Sequence, residues 1–535
     1  MHLRYASRFP FAAAVMCVAA SASLAACGDA GAPGEVAGID PEERSAERRQ
    51  ALSAPLDIDP LRSLILTKVT DPQAMTRFPL QFVLNQLLMR AGTLDEQTAL
   101  DLYRRWWDFF NVSTVAQFPD AIHCDDQTNS EGIPAINGYR IACGRREGRL
   151  ATSDPFDPNS PDFVEPIAVV NRFDLAPLDG SHCGEYRIVY AKKSAGVADR
   201  NLFILEAQLP NPHPECGIAA CLPVAEHWAR LSTLDAAERA NELETFFTVG
   251  LVDAGFGPVL HPDNFADAVH GPGGSRGTGQ IRTNQFMGNA GAPGQVQPGQ
   301  IWHLREFKIA RVDGGDRLFL KPVTVKENPF GPLFSTNFDP NDFRYSWFMD
   351  DFLESVDRLT TLSTDINDIR LTSSREALYN AGQSAIDDSN DYLNQLLPEF
   401  NSLPNLELRD RIQDELVRLG RDAIFTPADV ANRATTQSCA GCHQLSAGDS
   451  LGNGVTWPEE EQGDELRFVH VREDGGLSRA LTDFFLPHRE GVLEAFLAAH
   501  ADGDTCSTPS TPTTSAALAV EGDAPVPTLG GATTH

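Results

Sequence analysis

Five short apolar segments between residues 160 and 330 constrain the fold of this 535-residue chain more than any other feature. They are rich in β-branched and aromatic residues and are bounded by Gly, Pro, Asp or Asn, which is typical of β-strands. Their sequences are PIAVVNRFDL, EYRIVYAKK, NLFILEAQL, IWHLREFKIARV and RLFLKPVTV. Glycine and aspartate between Val312 and Leu318 predict a hairpin joining the last two. One or two helices at 224–250 and a Gly/Pro/Asn-rich loop at 261–299 lie between the strands, so we expect an α+β domain around an antiparallel sheet.

Helical patterns flank the strand-rich region on both sides. Upstream, a dense aromatic stripe at near-helical spacing runs from Leu100 to Phe110 and includes Trp106 and Trp107. We interpret this stripe as core packing, with a haem or quinone pocket as the alternative. Downstream, a second helical stripe is formed by Leu408, Ile412, Leu416 and Leu419.

The N-terminus has the pattern of an export signal. Arg4 and Arg8 precede an apolar stretch at 11–20 that is too short to span a bilayer permanently. The stretch ends in LAAC at Cys27, which resembles a bacterial lipoprotein signal, in which cleavage precedes the cysteine and its sulfur is lipidated. The resemblance implies a lipid anchor at Cys27 and a place on a membrane of the bacterial cell envelope, facing the periplasm or the outer surface. Ordinary secretion with an incidental cysteine is the alternative.

Export into an oxidising compartment allows cysteines to pair. Of the ten cysteines, one leaves with the signal, one carries the lipid and two form a C-x-x-C pair, which leaves an even number consistent with three bridges. Local spacing favours Cys124–Cys143 and Cys216–Cys221, and Cys183–Cys506 then follows only by elimination. Sequence alone does not fix this connectivity.

The sequence C-A-G-C-H at 439–443 carries the chemical signal. Two thiols three residues apart on one helical turn can each add to a vinyl group of haem, and the adjacent imidazole can ligate the iron. At this point residues 431–501 resemble a c-type cytochrome, while the rest of the chain does not share the resemblance. It implies a covalent haem c as cofactor, with thioethers at Cys439 and Cys442 and His443 as the proximal ligand.

The sixth iron ligand is left open by the sequence. Many c-type cytochromes use Met, but the last methionine here is Met349, well before the motif. His470, His488 and His500 are the candidates, and His470, in the run RFVHVR, is preferred. An empty sixth position is the other option, and it would allow a small ligand or peroxide chemistry at the iron.

Two other interpretations of the motif stay open. Thiolates at Cys439 and Cys442, with His443 or His470 and one further ligand, would make a tetrahedral zinc site. The C-x-x-C pair could also close into a disulfide. The whole layout also resembles a loose group of uncharacterised bacterial exported proteins, which implies an architecture and no activity. The segments that carry this second resemblance are 171–175, 282–285, 304–307, 322–326 and 468–471.

The predicted fold class is multidomain, with a central α+β domain, helical flanks and a small all-α unit like cytochrome c at the C-terminus. The predicted segments are a signal peptide (1–26), a flexible tether (27–56), the α+β domain with its N-terminal helices (57–345), a helical region (346–430), the haem unit (431–502) and a disordered tail (503–535).

Charge narrows the possible partners. The net charge of −31 repels phosphate backbones, so nucleic acid is not an expected partner. We expect instead a basic redox partner, because opposite charges attract. Because the α+β domain shows no recognisable catalytic constellation, we expect electron transfer or haem-dependent redox work rather than an enzyme with its own substrate. A binding or structural lipoprotein is the alternative.

Overall fold

An eight-stranded antiparallel sheet forms the centre of the protein. The computed structural model describes residues 57–503 and Cys506, except 197–198, 267–268, 272–273, 277–278, 288–301, 312–316, 374, 400–401 and 460–469. The strands are β1 (Ile65–Thr67), β2 (Val164–Arg172), β3 (His182–Lys192), β4 (Asn201–Pro210), β5 (Gln280–Gln285), β6 (His303–Arg311), β7 (Leu318–Val323) and β8 (Ser384–Ala385). Their order is β1-β2-β3-β4-β5-β6-β7, with β8 paired to β6. The predicted α+β class with an antiparallel sheet is therefore confirmed.

Helices pack around this sheet. The longer ones are α1 (Leu80–Ala91), α2 (Ala99–Asp108), α3 (Leu222–Arg230), α4 (Ala236–Thr248), α5 (Phe343–Leu359), α6 (Leu406–Leu419), α7 (Pro427–Gln437) and α8 (Leu486–Ala499). Single turns of α-helix lie at Pro60–Ser63, Pro72–Met75, Glu376–Tyr379 and Tyr392–Leu396, and π-helical turns at Gly441–Leu445 and Leu481–Phe485. Capping boxes at Asp235 and Thr426 start α4 and α7, because each side chain accepts a backbone N–H that the helix leaves unpaired. In the described part of the chain, no helix is both long and apolar enough to cross a membrane.

One face of the sheet is an aromatic core. The ring of Phe203 on β4 lies 5.2 Å from that of Tyr190 on β3 and 5.1 Å from that of Trp106 on α2, centroid to centroid. Phe307 on β6 lies 5.4 Å from Phe109, directly after α2. Each such side chain removes about 150–250 Å² from water, so this face supplies much of the apolar burial. The interpretation of the aromatic stripe as core packing is confirmed.

The opposite face carries buried charges. Side chains alternate between the faces of a strand, and the register places Arg187 of β3 opposite Glu206 of β4, and Arg282 of β5 opposite Glu306 of β6. All four residues are buried. Arg282 pairs with Glu306 at 3.0 Å and with Glu206 at 3.4 Å, and Arg187 lies 3.5 Å from Glu206. The result is an ion-pair row that crosses four strands, which we call the polar face.

Strand β5 lies inside the region predicted as a loop, so that prediction is wrong for 280–285. Its sequence, QIRTNQ, has a single apolar residue and lacks the usual strand pattern. It forms a strand because its backbone pairs with both β4 and β6 and its arginine pairs with carboxylates on both. Pairing of β6 with β7 confirms the predicted hairpin, whose connecting residues 312–316 lie outside the described part.

Three disulfides join six of the eight described cysteines, and they correct two predicted pairs. Cys124–Cys143 is confirmed. The other bonds are Cys183–Cys221 and Cys216–Cys506, so the predicted Cys216–Cys221 and Cys183–Cys506 pairs are wrong. The reason is local: Cys221 is fully buried at the start of α3 against β3, whereas Cys216, five residues earlier, is only partly buried. Nearness in sequence did not place the two sulfurs together.

Candidate functional site

The C-x-x-C-H motif follows α7 and forms a tight turn. The hydroxyl of Ser438 accepts the N–H of Gly441 at 3.0 Å, and its carbonyl accepts the N–H of Cys442 at 2.9 Å. The hydroxyl of Ser384 on β8 accepts the N–H of Ala440 at 2.9 Å, which ties the turn to the sheet. These bonds fix the backbone of the motif independently of anything bound to its side chains.

The two residues between the cysteines are constrained by space. A Cβ at Gly441 would run into the carbonyl oxygen of Thr435, in the last turn of α7. Ala440 is completely buried. Small residues at these two positions therefore let the turn pack closely against the end of α7 with both cysteines on one side.

Both cysteines and the motif histidine line one cavity, which lies between the turn and the polar face. Its empty volume, including the open mouth, is about 790 Å³. Apolar side chains from the sheet line it, among them Val170, Val189, Ile204 and Leu304. A second cavity, with an empty volume of about 800 Å³ that also includes its open mouth, shares Cys442, His443 and His470 with the first. The motif thus borders two openings.

Charged groups line the same cavity. Arg187, Glu206 and Arg282 come from the polar face, and Arg489 comes from α8. Burial disfavours the charge of Arg282, but Glu206 and Glu306 outweigh it and hold its pKa well above the ordinary value. The wall opposite the cysteines is therefore a charged surface.

His470 lies next to the motif. Its ring centroid is 4.7 Å from that of His443. The ring centroid of His443 lies in turn 5.2 Å from that of Trp302, the residue directly before β6. Nδ1 of His470 and the hydroxyl of Ser478 share a hydrogen bond of 2.9 Å, and Nε2 lies 3.6 Å from the sulfur of Cys442. The structure thus brings His470 and His443 together, although they are 27 positions apart in the sequence.

The two other histidine candidates lie elsewhere. His488 shares a hydrogen bond of 2.9 Å with Asp365. His500 shares one of 2.8 Å with the carbonyl of Phe496, one turn earlier on α8. Neither is among the described residues that line the two cavities.

The motif cysteines are not part of any disulfide. Burial raises the pKa of Cys439 to about 12 and also raises the pKa of Cys442, so both sulfurs are thiols at neutral pH. Within the described ranges, no three His, Cys, Asp or Glu side chains form a group that could hold a metal ion directly. The motif therefore offers two thiols and an imidazole at the edge of a partly open cavity.

Sequence reasoning missed the charged wall of the cavity. Arg187 and Glu206 sit inside the predicted strands EYRIVYAKK and NLFILEAQL, where a charge between apolar residues on a central strand signals a buried pair. Arg282 was missed because it lies in the segment 261–299, which was predicted to be a loop. The predicted lipidation site Cys27 and residues 468–469 lie outside the described residues.

Comparison with known proteins adds nothing to this geometry, because no protein family, curated protein or solved structure matches the chain. The assignment of function therefore depends on the chemistry of the cavity. Its essential parts are the two thiols, the two neighbouring imidazoles and the charged wall of the sheet.

Proposed function

We propose that this is an exported lipoprotein of the bacterial cell envelope that binds one covalent haem c and serves electron transfer or another haem-dependent redox role. Cys27 carries the lipid that attaches it to the membrane. Cys439 and Cys442 form the two thioethers, and His443 is the proximal ligand of the iron. Residues 431–502 form the haem unit, which we propose to be similar to cytochrome c.

One observation carries this proposal. Every other described cysteine is in a disulfide, whereas Cys439 and Cys442 stay as thiols and line a cavity together with His443. Haem attachment needs two thiols and one imidazole, which the motif itself supplies. Zinc needs four ligands, so the motif would have to recruit more than its own three.

The residues around the motif have definite tasks in this proposal. A bound haem supplies one-electron ferrous–ferric chemistry. The apolar side chains of β2, β3, β4 and β6 exclude water from one side of the site, and Trp302 packs against the ring of His443. Ser478 fixes the orientation of the His470 ring through Nδ1, which leaves Nε2 on the side of Cys442.

The test is a search for covalently attached haem. The full chain is expressed and exported in a bacterium competent for haem attachment, denatured and examined for peptide-linked haem by absorbance and mass. We expect one haem per chain, loss of one thioether in Cys439→Ser or Cys442→Ser, and unchanged haem content in the control Cys216→Ser. Folded, exported protein without haem, with its thiols bridged or holding zinc, would overturn the proposal in favour of a binding or structural lipoprotein.

His470 is the proposed sixth ligand. His470→Ala should change the low-spin absorption spectrum of the haem protein, because the iron loses an imidazole. His488→Ala is the matched control, since His488 bonds Asp365 away from the cavity, and its spectrum should stay as in the parent. If the spectrum of His470→Ala also stays unchanged, the sixth position is open or is filled by another group.

The acidic charge of the chain supports a basic redox partner. A cationic oxidant such as hexaammineruthenium(III) should react with the reduced protein faster at low salt than at high salt, since screening weakens the attraction. Anionic ferricyanide is the control and should show the opposite salt dependence. Equal salt dependence for both oxidants would remove electrostatic steering from the proposal.

A further inference from the structure

A separate, acidic cavity lies beside α5. Its lining comes from α5, from the loop after β7 and from the described residues of 371–379, and it shares no described lining residue with the two cavities at the motif. Its empty volume, open mouth included, is about 340 Å³, less than half that of either cavity at the motif. Three of its described lining residues are acidic and none is basic, the acidic ones being Glu327, Asp351 and Glu376.

Glu327 has an oxygen without a partner in this cavity wall. The residue is only 5% exposed, and its Oε2 has no hydrogen-bond partner among the described residues. Its backbone adopts a φ of +54°, and its N–H donates to Oε1 of Glu376 at 2.6 Å, which fixes its position. Because buried polar atoms are ordinarily paired, this oxygen points to a donor supplied from within the cavity.

Asp351, a second acidic lining residue, is held ionised. Its Oδ2 accepts the hydroxyl of Tyr379 at 2.6 Å and Nε of Arg375 at 2.9 Å. Burial disfavours the charge of Asp351, but these hydrogen bonds outweigh it and hold its pKa below the ordinary value. A negative charge at the wall favours a cation over an anion or a neutral ligand.

The rest of the wall is aromatic and apolar. The ring centroid of Phe348 lies 5.3 Å from that of Tyr379 and 5.7 Å from that of Phe352, and Leu371 also lines the cavity. The faces of aromatic rings attract cations, most strongly where water is excluded. Rings beside carboxylates suit a cation that also carries an apolar part.

We propose that this cavity binds a small organic ammonium ion, whose N–H groups donate to Oε2 of Glu327 and whose alkyl part packs against Phe348 and Phe352. An ammonium group has three donors, so it can satisfy the unpartnered oxygen and still reach a second acceptor. The site is independent of the proposed haem, since no residue of the motif lines it among those described.

Binding should displace a proton. Burial raises the pKa of Glu327 to about 8, and the charge of Glu376 adds to the shift. The opposing charges are those of Lys326, Arg282 and Arg370. At neutral pH Glu327 therefore holds a proton, which goes to the solvent when the ammonium ion binds. An alkylammonium ion stays charged up to about pH 10, so its apparent affinity should rise about tenfold per pH unit until Glu327 is ionised and then level off.

The test is a calorimetric titration of the full-length protein with ethylammonium chloride at constant ionic strength. It is run at about pH 6, 7 and 9, on either side of the pKa of Glu327, in buffers of different protonation enthalpy. We expect saturable binding, with release of about one proton per ligand at the lowest pH. Glu327→Gln has the same shape without the charge, and at the highest pH it should bind at least tenfold more weakly than the parent. Its remaining affinity should not change with pH.

Matched variants and a second cation complete the test. Glu354→Gln, at an exposed position of α5, should bind like the parent. Glu376→Gln keeps an acceptor for the N–H of Glu327 and removes one charge, so it should weaken binding by less than Glu327→Gln does. The inference is overturned if ethylammonium shows no saturable binding or if Glu327→Gln binds like Glu354→Gln. It is also overturned if potassium chloride binds as tightly, because the cavity would then be a site for inorganic cations.

Discussion

On one face of the sheet, Phe203 packs among the rings of Trp106, Trp107 and Tyr190. On the other face, one strand away, Arg282 lies between the carboxylates of Glu206 and Glu306. Both surroundings are buried, yet they depend on different physics. Ring packing is weakly directional and gains from every square ångström removed from water. A buried ion pair must recover the desolvation of both charges through correct geometry.

The difference teaches where the chain can support chemistry. Helices α2, α3 and α4 cover the aromatic face, and apolar contacts between rings stabilise it. The polar face is lined by side chains that need partners, and it is here that the cavity and the C-x-x-C-H motif lie. The apolar packing and the proposed function therefore lie on opposite faces of the sheet, so substitutions can test them separately.

The largest effect is expected on the aromatic face. Phe203→Ala should lower the free energy of unfolding by about 4 kcal/mol, because it removes a fully buried ring and leaves a cavity between α2 and the sheet. Urea unfolding followed by tryptophan fluorescence measures this loss. Leu178→Ala, at an exposed site, is the control and should stay within about 0.5 kcal/mol of the parent. A loss below about 1 kcal/mol for Phe203→Ala would contradict the assignment of stability to this face.

Breaking the ion-pair row comes next. Arg282→Met should lower the free energy of unfolding by about 3 kcal/mol, because it leaves the buried carboxylates of Glu206 and Glu306 without their shared partner. Arg282→Met combined with Glu306→Leu should recover part of that loss, since apolar pairs replace buried ions at little cost. Arg418→Met removes an exposed pair with Glu415 and should be nearly neutral. A double variant that is less stable than the single one would show that geometry, rather than charge, holds the row together.

The same contrast explains what the sequence could predict. Strands such as β3 and β4 and the aromatic stripe of α2 follow apolar patterns, so they were readable from residue types alone. Strand β5 was not readable, because QIRTNQ is held in the sheet by ion pairs of Arg282 with Glu206, 76 positions earlier, and Glu306, 24 positions later. The cysteines and His443 of the candidate site came from a local motif. The charged wall and the disulfides Cys183–Cys221 and Cys216–Cys506 depend on contacts between distant segments, which a pattern in one segment does not carry.

A smaller effect is expected at the motif itself. Gly441→Ala should lower the free energy of unfolding by about 2 kcal/mol, because the new methyl group displaces the turn from the carbonyl of Thr435. Under the proposed function, haem content per folded chain should also fall as the cysteines move, and stability and haem content are measured on the same preparation. Gly257→Ala is the control, because a Cβ at Gly257 would meet open space. The stability of this variant should equal that of the parent. Unchanged stability and haem content in Gly441→Ala would show that the turn tolerates a side chain there.

The last effect is a pH dependence, and it tests whether a carboxyl group at the margin of the polar face titrates. Burial raises the pKa of Glu327 to about 8, with Glu376 adding to the shift and Lys326 opposing it. Between about pH 4.5 and 8 the folded state keeps a proton that the unfolded state has lost, so this group lowers stability by about 1.4 kcal/mol for each unit of rising pH. Glu327→Gln stays neutral, so its gain in unfolding free energy over the parent should be near zero below pH 4.5, grow through this window and level off above pH 8. Glu131→Gln, at an exposed site, should follow the parent at every pH, and a Glu327→Gln profile parallel to the parent would show that Glu327 is ionised in the folded protein throughout.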